Sequence, residues 1–179
     1  MEETGLLLRA LAFAARKHRD QRRKDADNTP YVNHVIQVAN LLSETGKETD
    51  LTLLMGAVLH DTVEDTNTTL EELRDLFGQD VADLVAEVTD DKSLPKDERK
   101  RLQIVNAPHK SLRAKKLKLA DKICNVRDII SSPPADWSIG RKIGYLDWAE
   151  QVAVGLAGSN EALEKLLRQL IAEGRTRFK

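Results

Sequence analysis

The sequence predicts an all-α protein, and three observations support this fold class. Apolar side chains recur at intervals of three and four residues in successive segments from residue 5 to residue 173, which is the period of a helix with one buried face. No strand-like series and no internal repeat interrupts this pattern. Hydrophobic residues make up 41% of the 179-residue chain and charged residues 32%, as expected of a globular protein, and the length predicts one domain, 1–179.

The first part of the chain contains two predicted helices with a loop between them. Residues 5–19 and residues 32–45 each place small and branched apolar side chains on one face. Residues 21–31 combine Arg and Lys with Asp, Asn and Pro, which indicates a loop with a positive surface. Gly46 follows the second helix at the position of a C-terminal cap.

The segment Leu53–Thr66 is the one around which the rest of the chain is organised. Its apolar helical run ends in the pair His60-Asp61, and the acidic pair Glu64-Asp65 follows one helical turn later. Two potential metal ligands followed by two carboxylates concentrate negative charge at one end of the helix. Such a concentration is unfavourable, and a divalent cation would compensate it. The alternative interpretation is a helix C-terminus that carries solvated acids.

The remaining elements are also predicted to be helices. A capping box at Thr69–Glu72 begins a helix that Gly78 ends, and residues 80–88 form the next one. Residues 89–101 are polar and contain a proline, which favours a mobile loop entering a helix that runs to about Asn106. Three further helices are predicted over residues 113–130, 137–156 and 160–173.

His34 is a candidate to join His60 and Asp61 around a metal. It lies in the first turn of the second helix, and an antiparallel hairpin of the second and third helices would bring these residues together. A lone histidine at a helix start also serves as a capping or packing residue, so this alternative stays open.

Asp121 is the second candidate, because it is an acid within an otherwise apolar helix. It is either a fourth ligand or the partner of Lys118 or Lys122 in a core salt bridge. Cys124 is the single cysteine of the chain, which excludes a cysteine-rich zinc site, so histidines and carboxylates must hold any metal.

Three motifs resemble a known family. The segments Thr29–His34, His60–Asp65 and Lys118–Arg127 are similar to those of the HD superfamily of metal-dependent phosphohydrolases. Within that superfamily they most resemble the hydrolase domain of the RelA/SpoT alarmone enzymes, in its free-standing small form known from metazoans and some bacteria. The resemblance covers nearly the whole chain, and Cys124 departs from it, since the long enzymes commonly carry His at this position.

The resemblance implies an HD-type helical bundle of about ten helices with one metal ion, usually manganese. It also implies hydrolysis of the 3′-pyrophosphate of guanosine tetra- and pentaphosphate (ppGpp and pppGpp) to GDP or GTP and pyrophosphate. Metazoan members of the group additionally remove the 2′-phosphate of NADPH. The synthetase and regulatory domains of the long enzymes would not fit in this length, so we expect degradation alone.

The residue chemistry is compatible with this implication. A set of two imidazoles and two carboxylates suits Mn²⁺, or Zn²⁺ as the alternative, and leaves positions open for water and a phosphate oxygen. The metal ligands predicted are His34, His60, Asp61 and Asp121. Glu64 and Asp65 are predicted catalytic residues that orient the water and accept its proton.

A polyphosphate substrate also requires cations near this acidic site. Arg23, Lys24 and Lys96 are candidates to hold it, although a solvated charge run is the usual role of such clusters. By resemblance, the nucleotide pocket would be lined by Asn125, Trp137, Arg141 and Tyr145. A surface arginine and core aromatic residues are the alternative interpretation of this second set.

The expected partner is a small nucleotide, either ppGpp or NADPH. A net charge of −1 argues against nucleic-acid binding, and the sequence has no long uncharged apolar run that would cross a membrane. We therefore expect a cytoplasmic protein, with a homodimer left open. Two competing functions remain: an HD phosphatase acting on NADPH, a dinucleotide or a nucleoside monophosphate, and a helical binding module without activity.

Overall fold

The computed structural model describes residues 2–25 and 27–179, and the regular elements among them are helical. In chain order these are α1 (Glu3–Lys17), α2 (Val32–Glu44), α3 (Leu51–Leu59), α4 (Thr62–Asp65), α5 (Leu70–Phe77), α6 (Gln79–Val88), α7 (Lys96–Asn106), a 3₁₀ turn (Ala107–His109), α8 (Leu112–Ser131), α9 (Ile139–Leu156) and α10 (Glu161–Arg177). An isolated antiparallel bridge joins Arg22 to Pro30. The predicted all-α class is confirmed.

Local sequence signals set several of the helix ends. The Asp50 carboxylate accepts a hydrogen bond from the backbone N–H of Leu53 and caps α3, and the Thr69 hydroxyl accepts one from the N–H of Glu72 and caps α5. Each bond satisfies a backbone donor that has no partner within its helix. Gly78 ends α5 with φ of +92°, a backbone conformation that favours glycine.

The predicted helix through the His-Asp pair is divided in two. His60 Nδ1 lies 2.8 Å from the carbonyl oxygen of Ala57, and the Thr62 hydroxyl donates to the carbonyl oxygen of Leu59 at 2.7 Å. These side chains bond to carbonyl groups in the last turn of α3. Carbonyl groups at this end of a helix have no backbone N–H partner within the helix. The acidic pair consequently lies on the separate short helix α4.

Two further boundaries differ from those predicted. α7 begins at Lys96, so the second half of the predicted loop 89–101 is helical, with Asp97 and Glu98 in the first turn, where negative charge complements the helix dipole. Trp137 lies outside α9, because the Ser138 hydroxyl accepts from the N–H of Arg141 and caps that helix one residue later.

The α2–α3 pair lies at the centre of the protein, between two clusters of buried apolar side chains. One face of α2 and α3 packs with α1, α5 and α6, for example through Val35 and Val58. The other face packs with α8 and its neighbours, for example through Val38 and Leu53. α3 is therefore apolar on both sides, and its C-terminal end brings the polar pair His60-Asp61 into the interior.

No helix within the described residues has the length and apolar character needed to cross a membrane.

Gly155→Ala is expected to destabilise the fold. A Cβ atom at this position of α9 would lie 2.7 Å from the Cβ of Ala107 and 2.9 Å from the backbone nitrogen of Pro108, neither of which rotates away. We expect a loss of about 1–3 kcal/mol in the free energy of unfolding, as typical of overpacking, measured by denaturant titration. Gly140→Ala in the same helix, where no atom lies within 4 Å of the added Cβ, is the control. Equal stability of the two variants would contradict this packing.

Candidate metal centre and nucleotide cavity

Three helices bring the candidate ligands together. His34 lies in the first turn of α2, His60 directly follows α3, and Asp121 lies in the middle of α8, and all three are buried. One ligand atom from each of these residues lies within 4.8 Å of the others. The hairpin predicted from α2 and α3 thus forms, and α8 closes the site.

Asp61 belongs to the same cluster. Its Oδ2 atom lies 2.9 Å from His60 Nε2 and 3.8 Å from His34 Nε2. Asp121 Oδ1 lies 3.2 Å from His34 Nε2 and 3.8 Å from His60 Nε2. The structure therefore brings together all four residues that the sequence singled out, as two nitrogen and two oxygen donors.

The orientation of His60 fits a metal ligand. Its Nδ1 atom bonds to the carbonyl oxygen of Ala57 at 2.8 Å, an arrangement that places the ring proton on Nδ1 and the lone pair on Nε2. Nε2 is buried and makes no hydrogen bond within the described residues, although Asp61 Oδ2 lies 2.9 Å away. A buried lone pair beside carboxylate oxygens needs an electropositive partner, so the residues present fit a divalent cation.

The charges of the cluster compensate one another. Burial lowers the pKa of His60, but the carboxylates of Asp61 and Asp121 outweigh it and raise this pKa to about 9. Without a cation, Nε2 therefore takes up a proton at neutral pH, and a bound cation would replace that proton. Burial likewise raises the pKa of Asp61, while His60 and His34 hold it well below its usual range. Two ionised carboxylates in the interior require positive charge close by, and a divalent cation supplies it directly.

Neighbouring side chains fix the two carboxylates. The Tyr31 hydroxyl donates to Asp61 Oδ2 at 2.6 Å, and the Asn125 amide donates to Asp121 Oδ1 at 2.6 Å. Lys122 Nζ lies 3.1 Å from Asp121 Oδ2. The salt bridge considered as an alternative for Asp121 thus exists alongside the histidine contacts. Tyr31 was not singled out by sequence reasoning, and its place in the Thr-Pro-Tyr motif was the available signal.

Glu64 lies near the cluster in a partly buried position. One of its carboxylate oxygens accepts the backbone N–H of Asp90 at 3.2 Å, and the other lies 3.9 Å from Arg99 Nη1. Burial raises the pKa of Glu64, and the nearby carboxylates of Asp61 and Asp90 act in the same direction. A carboxylate in such surroundings is a stronger base than an exposed one.

Asp65 has a different environment from its neighbour. Its Oδ2 atom accepts a hydrogen bond from the Gln21 amide at 2.9 Å, and its Oδ1 atom pairs with Lys92. Asp65 lines an adjoining cavity of about 420 Å³, whereas Glu64 lines the main cavity of about 550 Å³ beside the ligand cluster. The two adjacent acids therefore face different spaces.

The main cavity carries charges of both signs. Its acidic lining residues are Asp61, Glu64, Asp90, Asp97 and Asp121. Its cationic lining residues are Lys96, Arg99, Lys100, Lys118, Lys122 and Arg141. Sequence reasoning had identified two of these cations as substrate-binding residues, Lys96 and Arg141, and missed the rest because a charged residue on a helix is usually solvated.

The predicted nucleotide pocket also lies here. Trp137, Asn125 and Tyr145 line the main cavity and also the adjoining one, so they stand between the two spaces. The ring centroids of Trp137 and Tyr145 are 5.8 Å apart, and the Arg141 guanidinium lies 4.3 Å from the Trp137 ring centroid. Aromatic and guanidinium planes of this kind are suited to stacking on a nucleobase.

Arg23 and Lys24, the two residues of the first loop that were predicted to bind substrate, line the adjoining cavity rather than the main one. Arg23 is engaged within the protein, because its guanidinium pairs with Asp128 at 2.5 Å and donates to Asn125 at 2.9 Å. Lys24 is exposed. Lys96, by contrast, lies at the start of α7 on the main cavity.

The fold and the histidine–aspartate cluster define the class of protein. The HD domain matches residues 10–145, a range that contains all four candidate ligands, and the chain belongs to the HD-domain family. The predicted HD-type bundle is thereby confirmed, and the relatives described next confirm the resemblance to RelA/SpoT-type hydrolases.

The chain is similar over most of its length to particular members of this family. It is 54% identical over 170 residues to guanosine-3′,5′-bis(diphosphate) 3′-pyrophosphohydrolase MESH1 of Danio rerio, covering 95% of this chain and 94% of that protein. It is 54% identical over 171 residues to MESH1 of Homo sapiens, covering 96% of both chains. A solved structure of a metazoan ortholog of SpoT, described as hydrolysing ppGpp and acting in starvation responses, superimposes with a TM-score of 0.92 at 50% identity over 94% of each chain.

Proposed function

We propose that this protein hydrolyses guanosine-3′,5′-bis(diphosphate), releasing pyrophosphate from the 3′ position. The observation that carries the proposal is the cluster of two histidines and two aspartates on the wall of a cavity lined by six cationic side chains. A polyphosphate needs both a site that activates phosphorus and cations that neutralise its charge. The MESH1 proteins, to which the chain is similar, are named for this activity.

His34, His60, Asp61 and Asp121 would hold one divalent cation, and we propose Mn²⁺, with Zn²⁺ as the alternative. When bound, the cation polarises phosphoryl oxygens and increases the acidity of nearby water. The protein's own contribution is the fixed orientation of the donors. Tyr31, Asn125 and Lys122 provide it through their bonds to the two carboxylates.

Glu64 is proposed as the general base that orients the attacking water and takes its proton. Its raised pKa and its position in the main cavity support this assignment. Asp65 is proposed to help orient the water rather than to accept its proton, because Gln21 and Lys92 occupy its two oxygens. Water attacks the phosphorus attached to the 3′ oxygen, the bond from that phosphorus to the oxygen breaks, and the nucleoside oxygen receives a proton.

The nucleoside would lie against Trp137, Tyr145 and Arg141, with Asn125 close by. Trp137, Tyr145 and Asn125 line both cavities, and Arg141 lines the main one. A nucleotide bound against these side chains would extend into both cavities. The 3′-diphosphate would enter the main cavity, and Arg23 and Lys24 would face the 5′-diphosphate from the adjoining cavity.

Lys24→Ala and Lys96→Ala are each expected to raise KM for the alarmone by up to about fivefold with little change in kcat. Both ammonium groups are exposed, so each contact should contribute about 0.2–1 kcal/mol, as solvent-exposed ion pairs do. High salt should raise KM in the wild type and less in the variants. Lys165→Ala, at an exposed position on α10, is the control. An unchanged KM in both variants would show that these lysines do not bind the substrate and are ordinary solvated surface residues.

A substrate panel tests the proposed function. Manganese-loaded protein is incubated separately with guanosine-3′,5′-bis(diphosphate), NADPH and a nucleoside monophosphate. The products are separated by chromatography and quantified as a function of time. We expect GDP and pyrophosphate in equal amounts from the first substrate at the highest kcat/KM. Faster release of phosphate from NADPH would replace the proposal with the NADPH phosphatase alternative, and no turnover of any substrate would favour a binding module.

A small nucleotide is the partner that this proposal requires. A cytoplasmic location and a homodimer stay predictions, as does the organisation of residues 1–179 as one domain.

A further inference from the structure

Three lysines line the main cavity and have no acidic partner among the described residues. Lys96 is exposed at the start of α7, Lys100 follows one helical turn later and is partly buried, and Lys118 of α8 is buried. Residues one turn apart on a helix share a face, so Lys96 and Lys100 point in the same direction. Within the described part of the chain, no carboxylate lies within ion-pair distance of any of the three.

Lys118 is the least exposed of these three lysines. It is only 8% exposed, and it lies on the same helix as Asp121, three residues before it. Burial raises the pKa of Glu64, while the positive charge of Lys118 acts against it, so the ammonium also lies near that carboxylate. Lys118 lines the main cavity and pairs with no carboxylate in the described part of the chain, so its positive charge is available to the anionic oxygens of a ligand bound there.

Lys100 lies beside the same space. Its ammonium is 4.8 Å from the ring centroid of Trp148, and Lys122 lies on that ring at 4.7 Å. Trp148 is itself held by the bond from its indole N–H to the carbonyl oxygen of Lys100 at 3.0 Å. Lys122 is paired with Asp121, whereas Lys100 has only these aromatic contacts and pairs with no carboxylate among the residues that the structure describes. Burial and the like charge of Lys96 lower the pKa of Lys100, as expected where cations gather without an anion.

We infer that Lys118 and Lys100 form a subsite for the outer phosphate of a 3′-diphosphate, which makes the enzyme select a diphosphate over a monophosphate at that position. The inference rests on the proposed function. The inner phosphate must lie at the His-Asp cluster to be attacked. Of the two cavity lysines on α8, Lys122 is already paired with Asp121, whereas Lys118, one turn before Asp121, has no such partner among the described residues. The outer phosphate then continues toward Lys100, and pyrophosphate leaves from the same subsite after the bond to the 3′ oxygen breaks.

The first test compares two nucleotides that differ by one phosphate. Guanosine-3′,5′-bis(diphosphate) and guanosine 5′-diphosphate 3′-monophosphate are hydrolysed by manganese-loaded wild-type protein, Lys118→Met and Lys100→Met. We expect each substitution to lower the ratio of kcat/KM for the diphosphate to that for the monophosphate by about 10- to 100-fold, since each removes a charged hydrogen bond to the outer phosphate alone. Lys118→Arg should restore part of the ratio.

Lys115→Met provides the matched control. Lys115 lies one turn before Lys118 on α8, is partly exposed and lines neither the main nor the adjoining cavity. It should leave the ratio at the wild-type value. Melting temperature and manganese content are measured for every variant, and Lys100→Met decides the question if Lys118→Met does not fold. An unchanged ratio in folded, metal-loaded Lys118→Met and Lys100→Met would overturn the inference.

A second test does not depend on the nucleotide. Binding of inorganic pyrophosphate and of inorganic phosphate to the manganese-loaded protein is measured by calorimetry, with manganese in excess over both anions. Wild-type protein should bind pyrophosphate at least tenfold more tightly than phosphate, and Lys118→Met should lose that preference. If wild-type protein hydrolyses neither nucleotide, the proposed function fails, and this measurement alone decides the subsite. Equal affinity of wild-type protein for both anions would overturn it.

Discussion

His60→Ala is expected to lose the metal ion and to lower kcat/KM by about 10³-fold or more. The substitution removes the buried Nε2 atom, which lies within 2.9 Å of Asp61 Oδ2 and 3.8 Å of Asp121 Oδ1. A bound cation contributes several kcal/mol to a phosphoryl-transfer transition state, and about 1.4 kcal/mol corresponds to a tenfold change in rate. Metal content is measured by elemental analysis after dialysis, together with steady-state kinetics.

Two companion variants make this result decisive. Asp121→Asn keeps the size of the side chain and should also lose metal, which covers the case in which His60→Ala does not fold. His109→Ala changes an exposed histidine outside the cluster and should retain both metal and activity. Full metal occupancy in folded His60→Ala would show that this imidazole is not a ligand.

Glu64→Gln is expected to lower kcat by about 10²–10⁴-fold, the range typical of general-base loss, while metal content stays at the wild-type level. The amide has the size of the carboxylate but cannot accept the proton of water. Because a base must be ionised, wild-type kcat should fall as the pH drops through the pKa of Glu64. Burial raises that pKa, so the decline should begin above the usual range of a glutamate.

The matched comparison is Asp65→Asn. Asp65 is adjacent in sequence but faces the other cavity and has both oxygens occupied, so its loss should reduce kcat by a smaller factor and leave the acidic limb of the pH profile in place. Loss of metal from Glu64→Gln would instead make Glu64 a ligand. A larger effect of Asp65→Asn would exchange the roles of the two acids.

The helices, and the four residues that come together as candidate ligands, could be predicted from the sequence because both depend on local pattern and residue type. Helical periodicity identified the buried faces of α2 and α3, and the residue types of His34, His60, Asp61 and Asp121 favoured a metal site over the other roles that were open to them. Their distances from one another required the structure, since the crossing of α8 over α2 and α3 is set by packing.

The adjacent acids show why other features could not be predicted. Neighbouring residues on a helix point about 100° apart, so Glu64 and Asp65 were one motif in the sequence but face different cavities. The break between α3 and α4 depends on side-chain bonds to carbonyl groups. Nothing in the sequence distinguishes Lys118 from an exposed lysine on a helix, because its burial depends on the helices that pack around it.

Hydrolysis of guanosine-3′,5′-bis(diphosphate) in ¹⁸O-labelled water, before and after removal of the metal by a chelator, tests the central claim most directly. The proposed mechanism predicts equal amounts of GDP and pyrophosphate, with ¹⁸O in the pyrophosphate and none at the 3′ hydroxyl of GDP. Activity should vanish after chelation and return with manganese. Release of single phosphates, ¹⁸O at the nucleoside hydroxyl, or an unchanged rate in chelated protein would contradict it.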